Sequence, residues 1–135
     1  MLRKQISLLP AWLFTALTVG LILWLTLSPD PLDDEDIPLF PGADKIAHAI
    51  MFGFLTVMIL LDRQRKREWR RLTKRFILGA AATSTFLGIA VEFAQLLMRM
   101  GRSFETADML ADAVGAFFCA WLFRRLQHFW SVPSD

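Results

Sequence analysis

Residues Leu8–Leu27 read LLPAWLFTALTVGLILWLTL, 20 positions in a row without a charge. At about 1.5 Å of rise per residue, a helix of that length is ~30 Å long, the thickness of the hydrocarbon core of a bilayer. Core helices of soluble bundles rarely stay uncharged for so long. Arg3 and Lys4 stand just before the run, as they would in a secretory signal. Cleavage is disfavoured, because the run outlasts a signal's apolar region and its only small exit residue, Ser28, is followed by Pro29. The run is expected to remain as a first membrane span.

Three more apolar runs follow, at 45–61, 76–98 and 106–123. The last is the weakest, because Asp108 and Asp112 interrupt its first half. Residues 1–135 are therefore expected to form a single all-α domain, a bundle of four transmembrane helices. A proline- and acid-rich loop over 28–44 and a basic loop over 62–75 would connect the helices. Composition agrees: 55% of the residues are hydrophobic and 21% are charged, which excludes intrinsic disorder. Cys119 is the lone cysteine, so neither a disulfide framework nor a cysteine-based zinc site is possible within the chain.

The formal charge of +2 hides a strong asymmetry. Twelve of the 15 basic residues flank the first end of the first run, the 62–75 loop and the end of the fourth run. Ten of the 13 acids lie on the opposite flanks or in the adjoining helix ends. Sorted this way, one side carries +9 and the other −7. The positive-inside rule then puts both termini and the 62–75 loop in the cytoplasm and the 28–44 loop outside. Trp12, Trp24 and Trp121 fall at expected interface levels. The basic loop suits a topology anchor, with anionic lipid headgroups as a further candidate contact. No nucleic-acid motif is present.

Ionisable residues inside membrane spans are expensive and tend to face the bundle interior. Here they share one stratum. Counting ~1.5 Å per residue, Glu92 lies roughly 25 Å from the basic boundary at Arg75, His48 about 21 Å from Asp62 and Asp112 about 18 Å from Arg124. Asp44, Gln95, Arg99, Arg102 and Asp108 lie nearer the outer surface. Spacing also aligns them: Asp44 and His48 are i, i+4, as are Asp108 and Asp112, while Glu92, Gln95 and Arg99 are i, i+3, i+7. Gly88, Gly115 and Ala116 on the same helices would permit close approach. Met51, Phe52 and Phe54 read as ordinary core.

Three polar stripes can thus converge on one outward-opening pocket. His48 with Glu92 and Asp108 or Asp112 supplies imidazole and carboxylate groups suited to a divalent metal, with His48, Glu92 and Asp108 the first candidate set. The same four residues can serve as acid and base. Arg99 and Arg102 can hold a phosphate or carboxylate by a forked contact, with Asp44 and Gln95 orienting what binds. A bundle-locking hydrogen-bond network is the structural alternative. A small ion- or proton-coupled transporter, with Glu92 and His48 as relay, is another.

The quoted residues also carry a resemblance. Asp44-Lys45-Ile46-Ala47-His48 resembles the D-K-x-x-H stretch of the VanZ-like family of bacterial membrane proteins. Glu92 and Gln95, then Arg102, then Asp108, Asp112 and Gly115 resemble that family's E-x-x-Q, R and D-x-x-x-(N/D)-x-x-G. The chain departs from the pattern at Phe52, where a Tyr is common, and at Asp112, where Asn is frequent. The resemblance implies a four-span protein of the bacterial cytoplasmic membrane with a role in the cell envelope. It also implies an effect on susceptibility to the glycopeptide teicoplanin. The expected partners are membrane lipids and a lipid-linked or anionic envelope molecule.

Overall fold

A computed structural model describes residues 5–6, 8–28, 40–98 and 105–132. Four long helices run through them: α1 (Leu13–Leu27), α2 (Ala43–Lys66), α3 (Lys74–Met98) and α4 (Thr106–Leu126), with a 3₁₀ turn at Gln127–Phe129. The described residues contain no strand, only a single bridge between Arg70 and Val132. Three of the helical segments, Ala43–Lys66, Lys74–Met98 and Thr106–Phe129, are long and apolar enough to cross a membrane, and α1 is a shorter apolar helix. Most of the 28–44 loop, together with Arg99 and Arg102, lies outside the described residues.

The first helix is shorter than the uncharged run that announced it. The helix within that run begins at Leu13, not Leu8, leaving α1 with 15 residues, about 22 Å of helix. Leu8 and Leu9 instead donate back to the carbonyls of Gln5 and Ile6 at 3.1 and 3.3 Å. Pro10 has no N–H with which to continue a helix. The decisive partner is distant in sequence. Arg65, 2% exposed, donates to the carbonyls of Ile6, Leu9 and Pro10 and pairs with Asp62 through Nε and Nη2 at 2.8 and 2.7 Å. The other oxygen of Asp62 accepts from the backbone N–H and hydroxyl of Thr15, each at 2.8 Å. A buried charge pair is tolerable only when its remaining donors and acceptors are satisfied, and the turn before α1 does that. Between turn and helix, Trp12 adopts a left-handed backbone at φ 63°.

A second polar lock lies at the same end of the bundle. Gln127 accepts from the backbone N–H of Leu72 at 2.9 Å, and Trp130 donates its indole N–H to Gln64 at 2.8 Å. The 62–75 segment is thus partly internal: Asp62, Gln64, Arg65 and Leu72 are buried among exposed basic neighbours.

Helix packing rests on small residues. α2 and α4 share the most extensive interface. A Cβ placed on Gly115 would stand 2.0 Å from the carbonyl oxygen of Ala49, and one on Gly53 would stand 2.7 Å from the Cys119 sulfur. Without a hydrophobic drive between lipid-solvated helices, such close backbone approach is a main source of association. Phe52, Leu55, Leu60, Ile77, Ala81, Ala116 and Ala120 fill the centre. Met51 is half-buried, whereas Phe54 turns outward with Ile50, Phe86, Leu97, Leu110 and Val114. An exterior this rich in large apolar side chains suits contact with lipid rather than water. Thr18, Thr26 and Thr56 satisfy their hydroxyls on carbonyls one turn back, which removes the cost of burying them.

Candidate functional site

At the end of the bundle away from the Arg65 lock, three helices bring ionisable groups together. α2 contributes His48 in its second turn, α3 contributes Glu92, and α4 contributes Asp108 and Asp112 in its first two turns; all four are buried. The i, i+4 spacing puts Asp108 and Asp112 on one face of α4. The Gly115 contact brings that face against α2. Gly88 on α3 faces it too: a Cβ there would stand 2.2 Å from Asp112 Oδ2, so only glycine leaves room for the carboxylate.

The central contact joins His48 Nδ1 to Asp112 Oδ1 at 2.9 Å. With Asp112 ionised and His48 neutral, the carboxylate accepts and the ring proton sits on Nδ1. Nε2 is then the acceptor nitrogen, and it faces Glu92 Oε1 at 3.9 Å, too far for a hydrogen bond. Glu92 Oε1, Asp112 Oδ2 and Asp108 Oδ1 are buried without a hydrogen-bond partner among the described residues. Buried polar atoms in native proteins are nearly all partnered, and those that are not call for an explanation. His48, Glu92 and Asp108 each offer one ligand atom, and these three atoms lie within 4.8 Å of one another.

A second group of acids sits at the rim. Asp44, Glu105 and Asp108 also gather within 4.8 Å, but a cation already stands among them. Lys45 Nζ lies 2.9 Å from Asp44, 2.8 Å from Glu105 and 3.5 Å from Asp108. The rim is therefore ion-paired, whereas the deeper His48–Glu92 gap holds no positively charged side chain among the described residues. Asp108 belongs to both groups and couples them.

Of the residues singled out in the sequence, His48, Glu92, Asp108 and Asp112 meet in the interior, and Asp44 lies at the exposed rim. Gln95 is committed elsewhere: its amide donates to the Thr26 carbonyl at 2.7 Å and ties α3 to α1. Lys45 and Glu105 join the site without having been singled out. Lys45 had a signal, since it sits inside the D-K-x-x-H stretch, but its bond to Glu105 spans 60 positions and no local spacing announces it.

Apolar helices around a buried acid–histidine centre define an all-α protein of multi-pass membrane type. The chain belongs to the VanZ/LLP1 family, whose model matches residues 2–127. No curated protein and no solved structure matches it.

Proposed function

We propose that this VanZ-family chain is a four-span protein of the bacterial cytoplasmic membrane, with both termini inside and its acid–histidine centre opening outward. There it binds a divalent cation on His48 Nε2, Glu92 and Asp108, and uses that cation to hold and activate an anionic or lipid-linked envelope molecule. Arg99 and Arg102 grip the anion, and teicoplanin susceptibility changes as a consequence. The orientation follows from the twelve basic residues gathered on one side.

The observation that carries the cation is the set of three buried carboxylate oxygens without hydrogen-bond partners among the described residues, beside the ring of His48. An uncompensated buried carboxylate costs several kcal/mol. Asp108 has Lys45 at 3.5 Å and Asp112 has His48 at 2.9 Å. Glu92 is thus the least compensated, and a divalent ion beside it would offset that cost. Two ligands ~2.1 Å from one ion stand roughly 3.4 Å apart in tetrahedral geometry and at most about 4.2 Å apart. His48 and Glu92 lie 3.9 Å apart and the Asp108 oxygen within 4.8 Å of both, so a small inward shift of the side chains would close the set on an ion. Asp112 then plays the outer carboxylate that orients a metal-bound histidine. A nitrogen ligand among carboxylates favours zinc, manganese or iron over calcium or magnesium.

The His48–Asp112 bond specifically favours one rival, a bundle lock without chemistry. Chelator-stripped protein in detergent separates the two when titrated with zinc or manganese and followed by calorimetry and thermal denaturation. Expected are one equivalent bound, a higher melting temperature on binding, and loss of both in Glu92→Gln. For the rival, no ion binds and Glu92→Gln stabilises the protein by removing a buried charge. Loss of the resistance or envelope phenotype in Glu92→Ala and Asp108→Ala, with normal membrane insertion, tests the cellular role; an unchanged phenotype in both variants overturns it.

A further inference from the structure

At the basic end, far from the acid–histidine centre, a groove of about 450 Å³ opens on the outer surface between α1, α2 and α3. Trp12 and Thr15 of α1 form one wall, Ile59 lies at the back, and α3 supplies Phe76, Gly79 and Thr83. Arg75 stands at its mouth. Arg75, Gly79 and Thr83 are successive i, i+4 positions, so the groove follows one face of α3 for about 12 Å.

Its interior offers nothing to a polar ligand. The Thr15 hydroxyl is spent on Asp62 and the Thr83 hydroxyl on the Gly79 carbonyl. Gly79 forms an open floor, with no atom within 4 Å of where its Cβ would be. The mouth is the reverse. Arg75 is exposed and makes no hydrogen bond or ion pair among the described residues. Arg63 lies 5.3 Å above the Phe76 ring, with its Nε buried and without a hydrogen bond. The nearest acid in sequence, Asp62, is fully engaged by Arg65 and Thr15. Trp12, 45% exposed, is held at the same mouth in its left-handed backbone. That conformation costs about 1–2 kcal/mol in a non-glycine residue, and it follows directly on the turn whose Ile6, Leu9 and Pro10 carbonyls Arg65 grips.

An apolar slot with the unpaired Arg75 and a tryptophan at its entrance, and with Arg63 stacked over Phe76 of its lining, matches an amphiphile with one anionic head and a hydrocarbon tail. We propose that the groove is a binding site for an anionic phospholipid, with one acyl chain along Gly79 and Thr83 and the phosphate held between Arg63 and Arg75. A zwitterionic lipid would fill the same slot, but its choline cation offsets its phosphate, so it leaves both positive charges of the mouth uncompensated where a phosphatidylglycerol compensates one.

The test uses the full chain in detergent, mixed with dioleoyl phosphatidylglycerol or dioleoyl phosphatidylcholine at equal mole fraction. Native mass spectrometry then reads retained lipid. One phosphatidylglycerol should be retained at least tenfold better than phosphatidylcholine. Gly79→Leu, whose Cβ meets no atom within 4 Å and whose side chain occupies the floor of the groove, should abolish that retention. Arg63→Gln/Arg75→Gln should remove the preference for phosphatidylglycerol while leaving weak binding of either lipid. Arg124→Gln/Arg125→Gln, which removes two charges elsewhere at the basic end, should change nothing. Equal retention of both lipids overturns the proposal. So does full retention in Gly79→Leu, or an equal loss in the Arg124/Arg125 pair, which would mark diffuse attraction to surface charge.

Discussion

Alanine at Gly115 is the sharpest probe of how the packing supports the site. Its new Cβ would stand 2.0 Å from the Ala49 carbonyl oxygen, 2.6 Å from the carbonyl carbon and 2.7 Å from Cα. All three are backbone atoms inside α2, so no side chain can swing away. Ordinary contact begins at 3.4 Å, so the two helices must part by about 1.4 Å at this level, an overpacking cost of ~1–3 kcal/mol. His48 directly precedes Ala49, and Asp112 lies one turn before Gly115. The same displacement stretches their 2.9 Å bond to roughly 4.3 Å, which ends it as a hydrogen bond. Losing a buried bond to a charged group adds ~1.5–3 kcal/mol. Together these predict a loss of about 3–5 kcal/mol, a fall in melting temperature on the order of 10 °C or more, and with it the loss of zinc or manganese binding. Thermal denaturation in detergent and calorimetry measure both. Gly20→Ala is the control: nothing lies within 4 Å of its Cβ position in α1, and alanine in a helix interior gains about 0.5–1 kcal/mol. A Gly115→Ala protein that melts within 2 °C of the parent, or keeps its cation affinity, would refute the coupling of helix approach to the site.

Asp112→Asn keeps an acceptor oxygen for His48, so metal affinity should fall by roughly tenfold, whereas Asp112→Leu should lose about 100-fold; competition against a fluorescent zinc chelator reads the difference. Lys45→Met removes the resident cation from Asp44, Glu105 and Asp108. A second, weaker equivalent of calcium or manganese should then appear in a calorimetric titration, since three clustered carboxylates suit a hard cation. Arg65→Met leaves Asp62 as an unpaired buried charge and frees the carbonyls of Ile6, Leu9 and Pro10. It should cost about 3–5 kcal/mol and make the segment before Leu13 sensitive to limited proteolysis; unchanged cleavage would argue against the lock.

What the sequence made legible depended on whether the controlling force was local. Charges inside apolar runs are anomalous on sight, and helical spacing aligned them, so His48, Glu92, Asp108 and Asp112 could be grouped before any coordinates. Gly88 and Gly115 could be marked as close-approach positions for the same reason. The N-terminal limit of α1 could not. Leu8–Trp12 is apolar enough for a helix, and only the tertiary demand of Arg65 for three carbonyls, more than 50 positions away, turns it aside. Arg65 was itself concealed among seven other basic residues, where a charge run reads as a solvated face. Gln95 misled in the opposite sense: its spacing from Glu92 puts it on the site's helix face, yet the carbonyl of Thr26 claims its amide. Phe54 read as core because a sequence does not say whether an apolar residue meets protein or lipid.

The two ends of the bundle solve the same electrostatic problem differently, and the contrast bears on function. At the basic end Arg65 and Asp62 are both almost fully buried, yet every named oxygen of Asp62 has a partner, and all three guanidinium nitrogens of Arg65 donate. That is the form a structural lock takes, closed and complete within the chain. At the acidic end, one bond of the same quality, His48–Asp112, stands beside three carboxylate oxygens without hydrogen bonds among the described residues. Had locking been its purpose, an asparagine or leucine in place of Glu92 would avoid the desolvation cost of an ionised carboxylate. Among the described residues one buried polar network is complete and the other is open, and the open one is where the proposed cation would bind.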